Sequence, residues 1–172
     1  MQGLVDANAI CIDGGSAGGY TTLAALTFRE TFRVGASLYG VSDLSALAKE
    51  THKFESRYLD TLIGDPVPSP TYEERSPIHF TDLLNCPVIL LQGDEDAIVP
   101  PNQAEKMYSA LQGKNIPSTL VLYKGEQHGF RMSYNIRHAL HSEYIFFCKI
   151  LGYDAQREDG ITDISIGERL EV

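Results

Sequence analysis

Basic residues are scarce in this chain: 14 lysines and arginines stand against 23 aspartates and glutamates, for a formal charge of −9 and a pI near 4.9. A phosphate backbone or an anionic membrane surface rewards Lys and Arg, so this balance argues against nucleic acid and membrane as partners. No basic run overrides the average. Cysteine is nearly as sparse. Cys11, Cys86 and Cys148 are odd in number, widely spaced and set in apolar stretches, which excludes a disulfide framework and reads as buried free thiols in a reducing compartment. C-x-x-C and Cys/His pairs at metal spacing are both missing, so no metal is expected. Between Met1 and Asp13 there is no basic segment followed by an apolar one, so no secretory signal is visible. Nor does any stretch approach the roughly 20 apolar residues that cross a bilayer. The expected setting is cytoplasmic.

What is present is an ordinary globular composition, 43% hydrophobic and 22% charged, over 172 residues, enough for one domain with a real core and too little for two. Short apolar runs alternate with helical periods, the pattern of parallel strands joined by crossover helices. Strands are predicted at Ala9–Ile12, Val34–Val41, Pro87–Leu91 and Ser118–Tyr123. Tyr20–Leu26 reads as a small-residue helix, Pro101–Gly113 as a second helix, and Ile136–Leu151 as a closing one. Between residues 45 and 80, Pro66, Pro68, Pro70 and Pro77 break any long element into short helices and loops. Beyond Gly152, six acidic residues face only Arg157 and Arg169 with little apolar content, and a loosely held extension is expected. This order is half of a doubly wound α/β sheet, where ligands bind at the carboxyl ends of the strands.

Three segments with chemical potential fall there. The first is Gly14-Gly15-Ser16-Ala17-Gly18-Gly19. A serine hydroxyl is a weak nucleophile unless exposed, aimed and paired with a base. A sharp strand-to-helix turn provides the aim, and Gly14 and Gly18 would remove side chains that clash at such a turn. The frame Gly14-x-Ser16-x-Gly18 matches the nucleophile turn of α/β-hydrolases. The Ala17 N–H and the dipole of the following helix could meet a developing oxyanion. A phosphate loop would need a lysine where Gly19-Tyr20-Thr21 stands, and a dinucleotide loop would need G-x-G-x-x-G; neither is present. The second segment is Gly93-Asp94-Glu95-Asp96, an acidic cluster after a buried strand, suited to a carboxylate that orients a histidine. The residues alone do not separate Asp96 from Asp94, which could equally cap a turn. The third is Gly125-Glu126-Gln127-His128-Gly129-Phe130, whose histidine has the pKa of a base toward serine and an acid toward a leaving group. Of the other histidines, His52 and His79 read as surface or packing residues. His138 and His141 share a helical face without the carboxylate or cysteine that a metal site would add. The order Ser16, Asp96, His128 is that of α/β-hydrolases.

With these segments in place, the chain resembles the catalytic domain of the prolyl oligopeptidase family of serine peptidases, in its acylaminoacyl-peptidase and dipeptidyl-peptidase-like branch. The resemblance rests on Gly14-Gly15-Ser16-Ala17-Gly18-Gly19-Tyr20, Ser76-Pro77-Ile78, Cys86-Pro87-Val88, Gly93-x-x-Asp96-x-x-Val99-Pro100, Gln103-Ala104 and Glu126-x-His128-Gly129-Phe130, and runs from about Gly3 to Tyr153. It implies an α/β-hydrolase fold, residues 1–153 as a partial catalytic domain and 154–172 as an acidic tail. It further implies a Ser16–Asp96–His128 triad acting through an acyl-enzyme on peptides or acyl-peptides, and no metal or organic cofactor. Asp96 is preferred because the family places its acid three residues after the glycine. Family members carry several strands, and usually a β-propeller, before the nucleophile turn, whereas here about fifteen residues precede Ser16. The expectation is therefore a fold truncated at its N-terminus, without the loop that supplies the second oxyanion donor. Its exposed first strand would invite a homo-oligomer or association with the missing region. A carboxylesterase, or an inactive relative serving as an interaction module, are the alternative functions.

Overall fold

The computed structural model describes residues 4–50 and 58–172; His52 lies outside them. Among the described residues five strands form one sheet in sequential order, β1 (Cys11–Gly15), β2 (Val34–Leu38), β3 (Val88–Gly93), β4 (Ser118–Tyr123) and β5 (Arg169–Glu171). Every neighbouring pair is parallel. The crossovers are α1 (Ala17–Phe28) after β1, then α2 (Leu44–Glu50), α3 (Tyr58–Ile63) and α4 (Pro70–Glu74) between β2 and β3. They continue with α5 (Asn102–Gly113) after β3 and α6 (Ser133–Leu151) after β4. The proline-rich stretch thus yields the short helices its composition predicts, with a 3-10 turn at Pro77–Phe80.

β3 and β4 are buried at every position, as strands covered on both faces must be. Alternation along them divides the core. Leu90 and Leu120 point toward Leu23 and Leu26 of α1 and Met107 and Leu111 of α5. Ile89, Leu91, Val121 and Tyr123 point to the opposite face, where α6 contributes Ala139, Ile145 and Phe146. A third cluster, Val41, Leu44, Leu47, Tyr72 and Val99, packs above the carboxyl edge of the sheet.

The extension after Gly152 is not loosely held. Arg169–Glu171 pairs with Leu120–Leu122 of β4, Val172 N–H donates to Leu122 O at 2.8 Å, and Ile164 is buried against the α6 side of the core. Three residues, two of them charged, make an edge strand too short for composition to reveal. β1 also differs from expectation by continuing through Gly14 and Gly15, which pair with Ser37 and Leu38. β2 stops at Leu38 because Tyr39 turns to a φ of +39°. The three cysteines are free, with Cys148 buried and Cys11 and Cys86 half-buried. Among the described residues no helix is long and apolar enough to cross a membrane.

Candidate active site

Ser16 sits between the last residue of β1 and the first of α1, at φ 58° and ψ −118°. An L-residue holds that conformation only when its surroundings impose it. Its N–H is tied to Leu38 O at 2.9 Å, and its carbonyl opens α1 by accepting from Tyr20 N–H at 3.0 Å. The chain can reverse this tightly because α1 crosses directly over β1. A Cβ on Gly14 would lie 2.6 Å from the Gly18 backbone. Gly18 differs from the expectation that both glycines clear a clash: a Cβ there meets nothing within 4 Å, so Gly18 contributes a close backbone, not an absent side chain.

Two loops meet above β3 and β4. A Cβ on Gly93 would lie 2.4 Å from Glu126 O and 2.6 Å from Gln127 O, so the acidic turn and the histidine loop touch through this glycine. Glu95 N–H donates to Glu126 O at 3.0 Å, and Gly125 N–H donates to the Asp94 carboxylate at 2.7 Å. Asp94 therefore staples the loops from the solvent side. Asp96 lies beneath, with its side chain fully buried. Its Oδ1 accepts from Ile98 and Val99 N–H at 2.9 Å each, and its Oδ2 faces His128 Nδ1 at 2.9 Å. The other imidazole nitrogen, Nε2, is 2.7 Å from Ser16 Oγ. Asp96 and His128 thus join Ser16 in one chain of hydrogen bonds, while Asp94 does not.

The histidine loop is held from below by Glu126, a buried carboxylate that accepts from Arg131 N–H, Met132 N–H and Asn135 Nδ2 at 2.8, 2.9 and 3.0 Å. Burial pushes its pKa up, but these three donors and the nearby Arg131 charge together outweigh burial and hold it below the ordinary glutamate value. Gly125 and Gly129 carry φ of 72° and 87°, which only glycine adopts readily, so the loop bends as its sequence predicts. On the far side, the Tyr39 ring stands edge-on to the imidazole with centroids 5.1 Å apart and also packs on Phe130 at 5.3 Å. Two residues of this supporting set escaped sequence reasoning. Tyr39 carries no local signal, but Gln92, whose Nε2 lies 3.2 Å from Asp96 Oδ2, does: it is a lone amide inside the otherwise apolar run of β3.

Ala17 is exposed at the first position of α1, where a backbone N–H has no intrahelical partner. Two hollows open on either side of the Ser16–Ala17 step. One, about 330 Å³, is lined mainly by apolar side chains including Tyr20, Val41, Leu44, Leu47 and Val99, with Arg75 at its border. The other, about 690 Å³, is bounded by Glu95, Gln127, His128 and Arg131. His79 is exposed, in the 3-10 turn Pro77–Phe80, and takes no part in this hydrogen-bond chain. His138 is buried elsewhere, with Nδ1 2.9 Å from the Tyr123 hydroxyl and 3.2 Å from Ser142 Oγ. Among the described residues no group of three His, Cys, Asp or Glu could hold a metal ion.

A parallel sheet with helices on both faces and a strained serine in the turn after a strand defines the α/β-hydrolase fold. Solved structures agree. The chain is similar to a puromycin-hydrolyzing peptidase of Mycobacterium tuberculosis, with a TM-score of 0.88 and 43% identity over 95% of this chain and 25% of that one. The chain belongs to the prolyl oligopeptidase family, which it matches over residues 1–154. Among curated relatives, it is 35% identical to dipeptidyl aminopeptidase BIII of Pseudoxanthomonas mexicana over 75% of this chain and 20% of that protein. It is 32% identical to dipeptidyl peptidase family member 6 of Caenorhabditis elegans over 78% of this chain and 19% of that protein. The chain therefore spans about a fifth of the length of these curated relatives.

Proposed function

We propose that this chain carries the catalytic residues of a serine peptidase that cleaves peptide or acyl-peptide bonds through an acyl-enzyme, with Ser16, His128 and Asp96 as its triad. The single observation that supports this most is the continuous path from Ser16 Oγ through both ring nitrogens of His128 to Asp96 Oδ2, with steps of 2.7 and 2.9 Å. With the Nδ1 proton held by Asp96, the free lone pair of Nε2 faces the serine hydroxyl, the tautomer a general base requires. As Oγ bonds to the substrate carbonyl carbon, its proton moves to Nε2 and the carbonyl π pair moves onto oxygen. Ala17 N–H is the donor for that oxyanion, and one such donor is worth roughly 10²–10³ in turnover. Protonated His128 then gives its proton to the leaving nitrogen as the C–N bond breaks, leaving an ester on Ser16. Water attacks that ester, again through Nε2, and restores the serine.

The 330 Å³ apolar hollow beside Ser16 suits one medium or large apolar side chain on the acyl side of the cut. The Arg75 border would repel a basic one. Release rates from matched chromogenic peptides carrying leucine or lysine at that position, and from the corresponding esters, test this reading, with Ser16→Ala as the blank. Faster cleavage of the leucine peptide, abolished by Ser16→Ala, is expected. Ester turnover without peptide turnover would replace it with the carboxylesterase reading, and equal rates for leucine and lysine would remove the assigned pocket.

A further inference from the structure

The least explained group near the site is Gln92, a fully buried amide near the carboxyl end of β3. Its amino group faces three acceptors: Gly93 O at 3.2 Å, Val99 O at 3.1 Å and Asp96 Oδ2 at 3.2 Å. Its carbonyl oxygen, also buried, has no hydrogen-bond partner among the described residues. Turning the amide over would not relieve this. It would aim an oxygen at two carbonyls and a carboxylate and strand the amino group instead, so the orientation is forced. A buried unpaired acceptor costs free energy, and such a residue calls for an explanation in what its other end does.

Its other end completes Asp96. The carboxylate has roughly four lone-pair sites, and the structure fills them with four donors: Ile98 N–H and Val99 N–H on Oδ1, His128 Nδ1–H and Gln92 Nε2 on Oδ2. The backbone pair holds one oxygen. Gln92 is what stops the other from turning away from the imidazole. We infer that Gln92 is a positioning residue for Asp96, fixing Oδ2 against His128 Nδ1 from a site that touches neither the substrate nor the serine. This rests on the triad reading above and adds a fourth member to its support.

The test follows the His128 Nδ1–H proton by NMR in the full chain, alongside the rate of fluorophosphonate labelling. Gln92→Leu removes the donor together with the orphan acceptor, so folding is expected to persist. The Nδ1–H proton should exchange with water about tenfold faster, and labelling should slow by about tenfold, as suits loss of one hydrogen bond to a charged group. Gln92→Glu supplies the distinguishing readout. Its carboxyl can donate to Asp96 only while it holds a proton, and the neighbouring carboxylate keeps that proton on to unusually high pH. Protection of Nδ1–H relative to the wild type should therefore return as pH falls and vanish as it rises, a pattern a merely space-filling residue would not produce. Unchanged exchange in Gln92→Leu, or protection in Gln92→Glu that tracks the wild type at every pH, overturns the inference. Because exchange is read without any substrate, a chain that failed to label would refute the triad reading and still leave this one decided.

Discussion

Replacing Asp96 with asparagine separates the two acids that the sequence left side by side. The new amide must present one oxygen and one amino group to two sets of donors. The Ile98 and Val99 N–H groups are backbone and cannot change, so they keep the oxygen. The amino group then faces His128 Nδ1 and Gln92 Nε2, where Asp96 Oδ2 had accepted. Facing a donor, Nδ1 becomes an acceptor, the ring proton moves to Nε2, and the lone pair that should take the serine proton is gone. The same tautomer inversion in a Ser-His-Asp hydrolase lowers turnover by roughly 10⁴, which is the loss expected here. Asp94→Asn is the control. Its side-chain oxygen still accepts from Gly125 N–H, the contact Asp94 makes at 2.7 Å, so its labelling rate should stay within about threefold of the wild type, as for an exposed polar substitution. The assay is the second-order rate of fluorophosphonate labelling, normalised to folded protein by circular dichroism. If Asp94→Asn proves the slower of the two, the assignment of Asp96 and the proton path built on it are refuted.

Three further outcomes are expected. Gly14→Ala, which drives a methyl into the Gly18 backbone, should destabilise the chain by about 1–3 kcal/mol or more in urea unfolding, while Gly18→Ala should be neutral or slightly stabilising. Glu126→Gln removes a charge from three donors and should cost about 1.5–3 kcal/mol at neutral pH. Because the Glu126 pKa is lowered in the fold, its contribution is present above the ordinary glutamate value and lost as pH falls through the folded one, so wild type and variant should converge in acid. Glu143 has the opposite sign. Burial, and then the Asp13 charge, push its pKa up to about 7, so the fold favours the protonated form and loses stability as pH rises from the ordinary glutamate value toward 7. Glu143→Gln should raise Tm at pH 8 and leave it little changed at pH 4; equal shifts at both would contradict the assignment.

The legible part of this molecule is the part written in local punctuation. β4 coincides with the apolar run Ser118–Tyr123, and α5 with the stretch between Pro101 and Gly113. The helix α6 exceeds its apolar stripe only by a first turn, Ser133 to Asn135. Ser16, the Asp94–Asp96 turn and His128 each follow a strand that announced itself, so the three segments were readable as neighbours at one edge of a parallel sheet, while the choice of Asp96 within its turn came from the family resemblance. What stayed hidden depends on distant partners. Asp94 and Asp96 look alike until Gly125 and His128 arrive from 31 and 32 positions downstream to claim one each. Gly93 reads as a strand end, yet it is the gap through which two loops touch. β5 is stabilised by pairing with β4 and by Ile164 and Leu170 packing against the α6 side, not by any pattern in its own three residues.

Activation of the Ser16 hydroxyl by the His128 imidazole is the step on which the proposed chemistry depends. Peptide mass mapping after brief treatment with a fluorophosphonate tests it most directly. The adduct should fall on Ser16, and His128→Ala should abolish it while circular dichroism shows the fold retained. An adduct on another residue, or undiminished labelling of Ser16 in His128→Ala, would contradict the account.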